Sequence, residues 1–544
     1  MNTERSAIRI NQEGYTDSLP VSVAVLTDQP VLLKNAAGET LRVFAPDPPR
    51  TDPASGDPVT LLDLSFLDAG SYELGNDTVG FRSFTVRPGV WDRITHALIK
   101  GLYYQRCGCE LTPRYAGPYS RPACHTAPVL DWEDRSVRRR ITGGWHDAGD
   151  YGKYVGPGAV TVAHLLYAWK LFPRGCSGAL NIPESGNGIP DILNEARYEL
   201  EWILQMQRPD GAFHHKLTKA QFAPFIMPQD DHEPEYLMPL SFCATGDACA
   251  CLALAARIYR PFDKAFADRM LNSARQAWAW LQAHPDFIPF MNPEGVRTGW
   301  YRGHSDTDDR FWAACELFAS TGETCFRKAA EKHFLSGQQL TQFGWADVAG
   351  MAALCCLFDL RENAGDILGQ QLRAEFLRQS EEALALSRAS GYGTALAPDR
   401  YVWGSILPVM SGAMAMIMNA LLTGRRDMRD AALLQWHYAL GLNALDLCFV
   451  TGFGERSVLH PHHRPSEADG IEAPVPGLIS GGPNKVICFP QTREKLKEDV
   501  PPAKYYLDET PSADTNEIAI YWNSPAVFVG AYFNSPPDAE KKIS

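Results

Sequence analysis

The sequence predicts a mainly α protein with a small all-β sandwich at its front. Two patterns carry this reading. Up to about Arg87 the chain is a series of short β-branched or alternating runs, cut by Gly, Pro, Asp and Asn. From Trp91 onward it becomes a succession of apolar and amphipathic stretches with helical spacing. Size agrees: a chain of 544 residues, 45% hydrophobic and 21% charged, can bury a large core and supports more than one domain. Pro88 and Gly89 punctuate the change, which divides the chain into residues 1–88 and 89–544.

In the first part, residues 21–26 (VSVAVL), 31–33, 71–74 and 83–86 read as strands, separated by turn clusters at 46–49 and 52–58. Short strands at this spacing suit an antiparallel sandwich. In the second part, residues 159–172 are apolar with helical spacing. Residues 191–207 (DILNEARYELEWILQMQ) place Ile192, Ala196, Leu200, Ile203 and Leu204 on one stripe, and Pro190 and Asp191 stand where a helix starts. Comparable stretches lie at 247–259, 264–283, 309–320, 346–358, 374–386, 405–422, 426–440 and 526–533. About a dozen helices in one unit imply paired layers around a common axis, because a single bundle rarely grows that large.

The net charge of −13 argues against nucleic acid or an anionic membrane as partner. The opening MNTERSAIRINQEGY has no apolar signal core, so a cytoplasmic location is expected. The nearest approach to the ~18 apolar residues of a membrane span is 406–422. Pro408, Ser411 and Gly412 interrupt it, and it reads as a buried helix. The 13 cysteines, several adjacent or nearly so, fit free thiols in a reducing compartment.

The most informative segment is 143–155, GGWHDAGDYGKYV. Asp147 and Asp150 stand three positions apart among glycines, which allow close backbone approach. Trp145, Tyr151 and Tyr154 offer flat faces on which sugar rings pack. Glu517, in DTNEIAIYWN, is a second acid among apolar neighbours. Two carboxyl groups brought together from distant parts of a chain can cleave a glycosidic bond.

The chain resembles glycoside hydrolase family 9, the inverting cellulase family, in its subgroup with an N-terminal immunoglobulin-like domain. The resemblance is carried in order by IRINQEGY at 8–15, the 143–155 segment, SGNGIPDILNEARYELEWILQMQ at 185–207, PDGAFHHKLT at 209–218 and MPQDD at 227–231. VTGFG at 450–454, PHHRPSEADG at 461–470, PVPGLISGGPN at 474–484 and DTNEIAIYWNSP at 514–525 follow. It implies an (α/α)6 barrel behind an immunoglobulin-like sandwich, and an oligosaccharide substrate. It implies Asp150 as general base, Asp147 as its partner on the water and Glu517 as general acid. The acid must be protonated at working pH, and Asp514 is a candidate like charge to raise its pKa. The resemblance also places His462 and Arg464 beside the scissile bond, with His463 the less certain histidine. Tyr521, Trp345, Trp403 and Trp300 are candidate sugar platforms.

Two metals are expected. Cys107, Cys109, Cys124, His125 and His146 supply a Cys/His set of structural-zinc type. The resemblance selects Cys107, Cys124, His125 and His146, with Cys109 a rival for Cys107. GHSDTDDRFW at 303–312 gathers oxygen ligands suited to calcium, with Ser305, Asp308, Asp309 and Asp347 as the expected ligands.

Some positions depart from the family pattern, among them Leu442, Cys448, Ala513 and Asp514. They leave substrate identity open between β-1,4-glucan and, as exo-β-glucosaminidase activity, chitosan oligosaccharides. In the latter case Asp514 or Asp446 would pair with a substrate ammonium. A sugar-binding protein without catalysis is the third reading.

Overall fold

The structure, a computed structural model, describes residues 5–45, 49–360 and 366–535. Most of the turn cluster expected at 46–49, and the end of the second unit from 536, lie outside these residues.

Eight strands open the chain: β1 (Ile8–Arg9), β2 (Ser22–Val25), β3 (Val31–Asn35), β4 (Thr40–Phe44), β5 (Arg50–Thr51), β6 (Pro58–Asp63), β7 (Gly70–Asn76) and β8 (Gly80–Val86). They form two antiparallel four-stranded sheets, ordered β1-β2-β6-β5 and β4-β3-β7-β8. Inward side chains such as Val23, Val25, Leu33, Leu74 and Phe84 close around Tyr15. The four expected strands are present. β4 and β6 were not read from sequence. β4 is an exposed edge strand with no apolar-in alternation, and Pro58 at the head of β6 looks like a breaker although it sits at the strand's first residue.

Among the described residues, twelve helices of six residues or more build the second unit: α1 (Asp92–Tyr104), α2 (Val155–Leu171), α3 (Asp191–Gln205), α4 (Phe242–Tyr259), α5 (Lys264–Ala283), α6 (Thr307–Thr321), α7 (Thr324–His333), α8 (Ala349–Leu354), α9 (Ile367–Ala389), α10 (Ile406–Thr423), α11 (Arg426–Ala439) and α12 (Ile520–Phe533), leaving aside one six-residue helix at Pro490–Lys495. They alternate between two layers. The even-numbered helices are buried almost all round and contact one another in sequence, α2 against α4, α4 against α6, α6 against α8, α10 against α12 and α12 against α2. The odd-numbered helices bury one stripe and face solvent with the other. This is an (α/α)6 barrel.

Several boundaries moved, α2 starting at Val155 and α4 at Phe242 among them, and three of the shifts have physical reasons. α12 starts at Ile520 rather than 526, because Pro525 lies inside the helix and not at its start. The stretch 346–358 begins at Ala349 and passes into a π-helical turn at Cys355–Asp359. α9 reaches back to Ile367, capped by the Asp366 side chain. Two helices, α4 and α10, are long and apolar enough to span a bilayer, although sequence reading singled out only residues 406–422; 83% and 72% of their apolar windows are buried in the protein. The domains meet on Asp446, fully buried between Arg9 and Arg82.

A small sheet supports the inner loops. Its strands are β9 (Val129–Asp131), β10 (Arg138–Arg139), β11 (Lys153–Tyr154), β12 (Lys216–Thr218) and β13 (Tyr236–Leu237), ordered β10-β9-β13-β12-β11. β11 leaves the Asp147–Asp150 loop and pairs Tyr154 with Lys216 of β12.

Candidate active site

A cavity of about 860 Å³ opens at one end of the barrel. Asp150 and Glu517 both line it, with Trp300, Tyr301, Trp345, Trp403 and Tyr521 as aromatic walls. Chain segments about 370 residues apart in sequence are joined here by backbone. Ala148 bridges Ala519, and the Ile520 amide donates to the Asp147 carbonyl at 2.8 Å. The base-side loop and the acid-side segment are therefore edges of one structure.

The loop is folded tightly. The Asp147 amide donates to the Gly152 carbonyl, and the Gly152 amide to Asp150 Oδ2, both at 2.9 Å. Gly149 is required, because a Cβ there would lie 1.8 Å from the His462 carbonyl oxygen. Asp147 Oδ2 accepts from the Tyr301 hydroxyl, and Asp147 Oδ1 is buried without a partner. Burial, with Asp150 adding to it, raises the Asp147 pKa well above the usual aspartate value, and the Tyr301 bond opposes this.

Glu517 follows a single helical turn, Ala513–Asn516. Its carbonyl accepts from the Gly481 amide, and its Oε2 accepts from Trp403 Nε1 at 3.1 Å. Desolvation raises its pKa well above the usual glutamate value, and the charges of Asp150 and Asp147 add to this. Arg464 and the Trp403 N–H pull the other way.

The like charge expected from Asp514 is absent from that balance. Asp514 is fully buried, with Oδ2 accepting from the Cys488 and Phe489 amides and Oδ1 from Thr492. Helical spacing failed as a guide because the chain turns extended at Glu517. Asp446 is likewise spent on Arg9 and Arg82 at the domain interface. Neither acid offered for a substrate ammonium faces the cavity.

His462 and Arg464 sit beside the loop but do not line the cavity. Arg464 directs Nη1 at the Gly149 carbonyl and Nε at the Ala223 carbonyl, each at 2.8 Å. In these two nitrogens the fork expected to meet sugar hydroxyls holds backbone instead. His462 Nδ1 lies 2.6 Å from the Thr510 carbonyl. His463 is buried between Gln105 and Ser466. Sequence reasoning missed Tyr301, since only the closed barrel brings it to Asp147 from 154 residues away.

Cys107, Cys124, His125 and His146 converge, with one ligand atom from each all within 4.8 Å of one another. His125 Nδ1 and His146 Nε2 are buried without partners, and Lys153 and Arg121 donate to the Cys107 and Cys124 sulfurs at 3.3 and 3.1 Å. Orphaned imidazole nitrogens and cation-supported sulfurs are what a Cys₂His₂ metal site needs. Cys109 stands outside this group, and Cys107 is within it.

The acidic loop is looser. Asp308 and Asp309, at the start of α6, face Asp247 of α4, an acid that sequence reading did not include. Asp247 Oδ1 is buried and unpartnered. Burial and the charge of Asp308 raise the Asp347 pKa to about 6. Ser305 Oγ is turned to Thr307.

Comparison with known proteins gives this arrangement a lineage. Residues 91–530 match the sequence profile of Glycosyl hydrolase family 9. A cellodextrinase of Butyrivibrio fibrisolvens is 34% identical over 542 residues, covering 96% of this chain and 98% of the relative. A single-mutant (D468A) thermostable endoglucanase from Alicyclobacillus acidocaldarius superposes with a TM-score of 0.91 at 33% identity, over 98% of this chain and 100% of the other. The structure of AaCel9A in complex with cellobiose-like isofagomine gives 0.91 at 34% identity, over 97% and 99%. The chain thus belongs to glycosyl hydrolase family 9, and the protein is a glycoside hydrolase.

Proposed function

We propose that the protein hydrolyses β-1,4-glucosidic bonds of cello-oligosaccharides or soluble β-glucan with inversion. The observation that carries this is the placing of Asp150 and Glu517 on one aromatic-walled cavity, with burial raising the Glu517 pKa well above the usual glutamate value. The cellodextrinase relative and the cellobiose-like inhibitor bound by AaCel9A support the substrate class.

In this reading a water lies between Asp150 and the anomeric carbon. Asp150 takes its proton, and Asp147, which is buried and does not line the cavity, is the proposed acceptor of its other hydrogen through the unpartnered Oδ1. The water oxygen bonds to C1 as the C1–O bond breaks on the opposite face, and the Glu517 proton passes to the departing oxygen. The products are an α-configured reducing end, a new free hydroxyl, a protonated Asp150 and an ionised Glu517. Both acids reset by exchange with solvent. Trp300, Trp345, Trp403 and Tyr521 are the proposed sugar platforms.

Zinc is the proposed occupant of the Cys107, Cys124, His125 and His146 set. When bound it supplies rigidity, since His146 is the residue before Asp147. Calcium is the proposed occupant of the acidic loop. Asp308, Asp309 and Asp347 would hold it together with Asp247, and Ser305 would join only by turning from Thr307.

Incubation with cellohexaose, followed by NMR, tests the reading. Shorter cello-oligosaccharides with initially α anomers are expected. Initial β anomers would overturn the roles of Asp150 and Glu517, and absence of cleavage would overturn the substrate.

A further inference from the structure

His215 and Lys216 stand side by side where the Phe213–His214–His215 run enters β12, and both reach into one later segment. His215 Nε2 lies 2.8 Å from the Trp300 carbonyl. A carbonyl only accepts, so Nε2 carries a proton, and burial, with the Lys216 charge adding to it, lowers the His215 pKa to about 3. Lys216 Nζ donates to the Gly299 carbonyl at 2.7 Å and contacts the Thr298 hydroxyl and carbonyl at 3.0 and 3.3 Å. Three consecutive carbonyls are thus held by two consecutive side chains.

Lys216 is fully buried, and among the described residues no carboxylate stands within ion-pair distance of it, although burial lowers its pKa to about 7 and the charge of Asp150 acts against that lowering. A buried ammonium without a carboxylate partner is costly, and here backbone dipoles and Asn292 Oδ1, at 2.8 Å, compensate it. His215 stacks on Phe290 with ring centres 3.7 Å apart and leaves Nδ1 buried without a partner.

The held segment leads directly into Tyr301, whose φ is +41°. A bulky residue adopts that conformation only when its surroundings over-determine it. It delivers the Tyr301 hydroxyl to Asp147 Oδ2, which decides which Asp147 oxygen is left for water.

We propose that His215 and Lys216 are a carbonyl clamp that positions Tyr301 on Asp147. They are positioning residues that act through the 298–301 backbone and touch no reacting atom. The inference rests on the reading of Asp147 as the carboxylate that helps hold the water.

A double-variant cycle on cellohexaose hydrolysis tests it, with thermal unfolding as the folding control. Tyr301→Phe and Lys216→Met should each lower kcat about 100-fold, the cost of a misplacement near 1 Å. The double variant should fall about 100-fold as well, because both changes break one linkage. A drop near the product of the two, about 10,000-fold, would show independent action and overturn the clamp. So would a Lys216→Met enzyme with wild-type kcat. If Lys216→Met does not fold, Asn292→Ala is read instead. It removes an acceptor from Lys216 and the 2.7 Å donor to the Thr298 carbonyl. It should cost about tenfold in wild type and nothing further in Tyr301→Phe, and equal losses in both backgrounds would overturn the clamp. Asp147→Asn separates the two readings: wild-type rates there would sink the role of Asp147, whereas an impaired Asp147→Asn beside an additive cycle would sink the clamp alone.

Discussion

The two walls of the cleft carry the same functional group in opposite settings. The wall of Asp147 and Asp150 is a glycine-rich loop pinned from many sides. Arg464 holds its Gly149 carbonyl, Gln105 its Ala148 carbonyl, Tyr301 the Asp147 carboxyl, and the Cys/His set its leading end. The wall of Glu517 is one helical turn, and among the described residues the Glu517 carboxyl has one side-chain donor, Trp403. The first arrangement fixes a water and an acceptor in place. The second buries a carboxyl near two other acids, and burial, with their charges adding to it, raises its pKa well above the usual glutamate value. Residue type does not separate base from acid here; burial and neighbouring charge do.

Removing each carboxyl breaks the comparison most directly. Asp150→Asn and Glu517→Gln should each lower kcat on cellohexaose by about 10³-fold. They should part on an aryl cellobioside with a good leaving group, which needs no acid. Glu517→Gln should recover most of its rate there, and Asp150→Asn should not. Recovery by both would erase the distinction between the walls.

The next effect falls on the pinned wall alone. Cys124→Ala, or stripping zinc with a chelator, should lower Tm by about 5–10 °C and reduce kcat, since loss of a structural metal is among the larger stability losses. Metal analysis of the wild type should return zinc, and readdition should restore both Tm and kcat in the stripped enzyme. A stripped enzyme with unchanged Tm would remove the metal from the account of why the loop is rigid.

Much of this contrast was legible in the sequence. The spacing of Asp147 and Asp150 among glycines, and the Cys and His residues around them, lie in local motifs, and local motifs survive as text. Inner helices such as α10 announce themselves by being apolar all round. What was not legible depends on closure of the barrel. Tyr301 comes to Asp147, and Lys216 to Gly299, only because layers distant in sequence meet. Asp514 shows the converse, since correct spacing gave a wrong neighbour where the helix stopped. The outer helix α7, which buries only Phe326 and Ala330, gave too narrow a stripe to be read.

The donor-poor wall makes a pH prediction. Glu517 must be protonated to act, and its pKa in the folded enzyme is raised well above the ordinary glutamate value. Activity is therefore kept at pH values where a solvated glutamate would be ionised, and is lost as pH rises through the raised value. Trp403→Phe removes a donor that favours the ionised form. The alkaline limb of kcat/KM should then move to higher pH, with kcat reduced about tenfold by the loss of orientation. A limb that stays in place, or moves down, would show that the indole does not tune the acid.

The smallest effect belongs to the acidic loop, which meets the cavity through Asp347. Calcium should raise Tm by about 1–3 °C, roughly the worth of one neutralised cluster of like charges. Asp309→Asn should abolish that increment while leaving kcat within about twofold of wild type, because the loop supports the start of α6 and touches neither Asp150 nor Glu517. The effect should be separable from the zinc effect by ion identity: oxygen donors alone take calcium, and the sulfur and imidazole set takes zinc. A Tm that answers to calcium equally in Asp309→Asn would move the site elsewhere. A kcat that collapses with Asp309→Asn would mean that Trp345, two residues before Asp347 on the cavity wall, is held by this loop more tightly than its geometry implies.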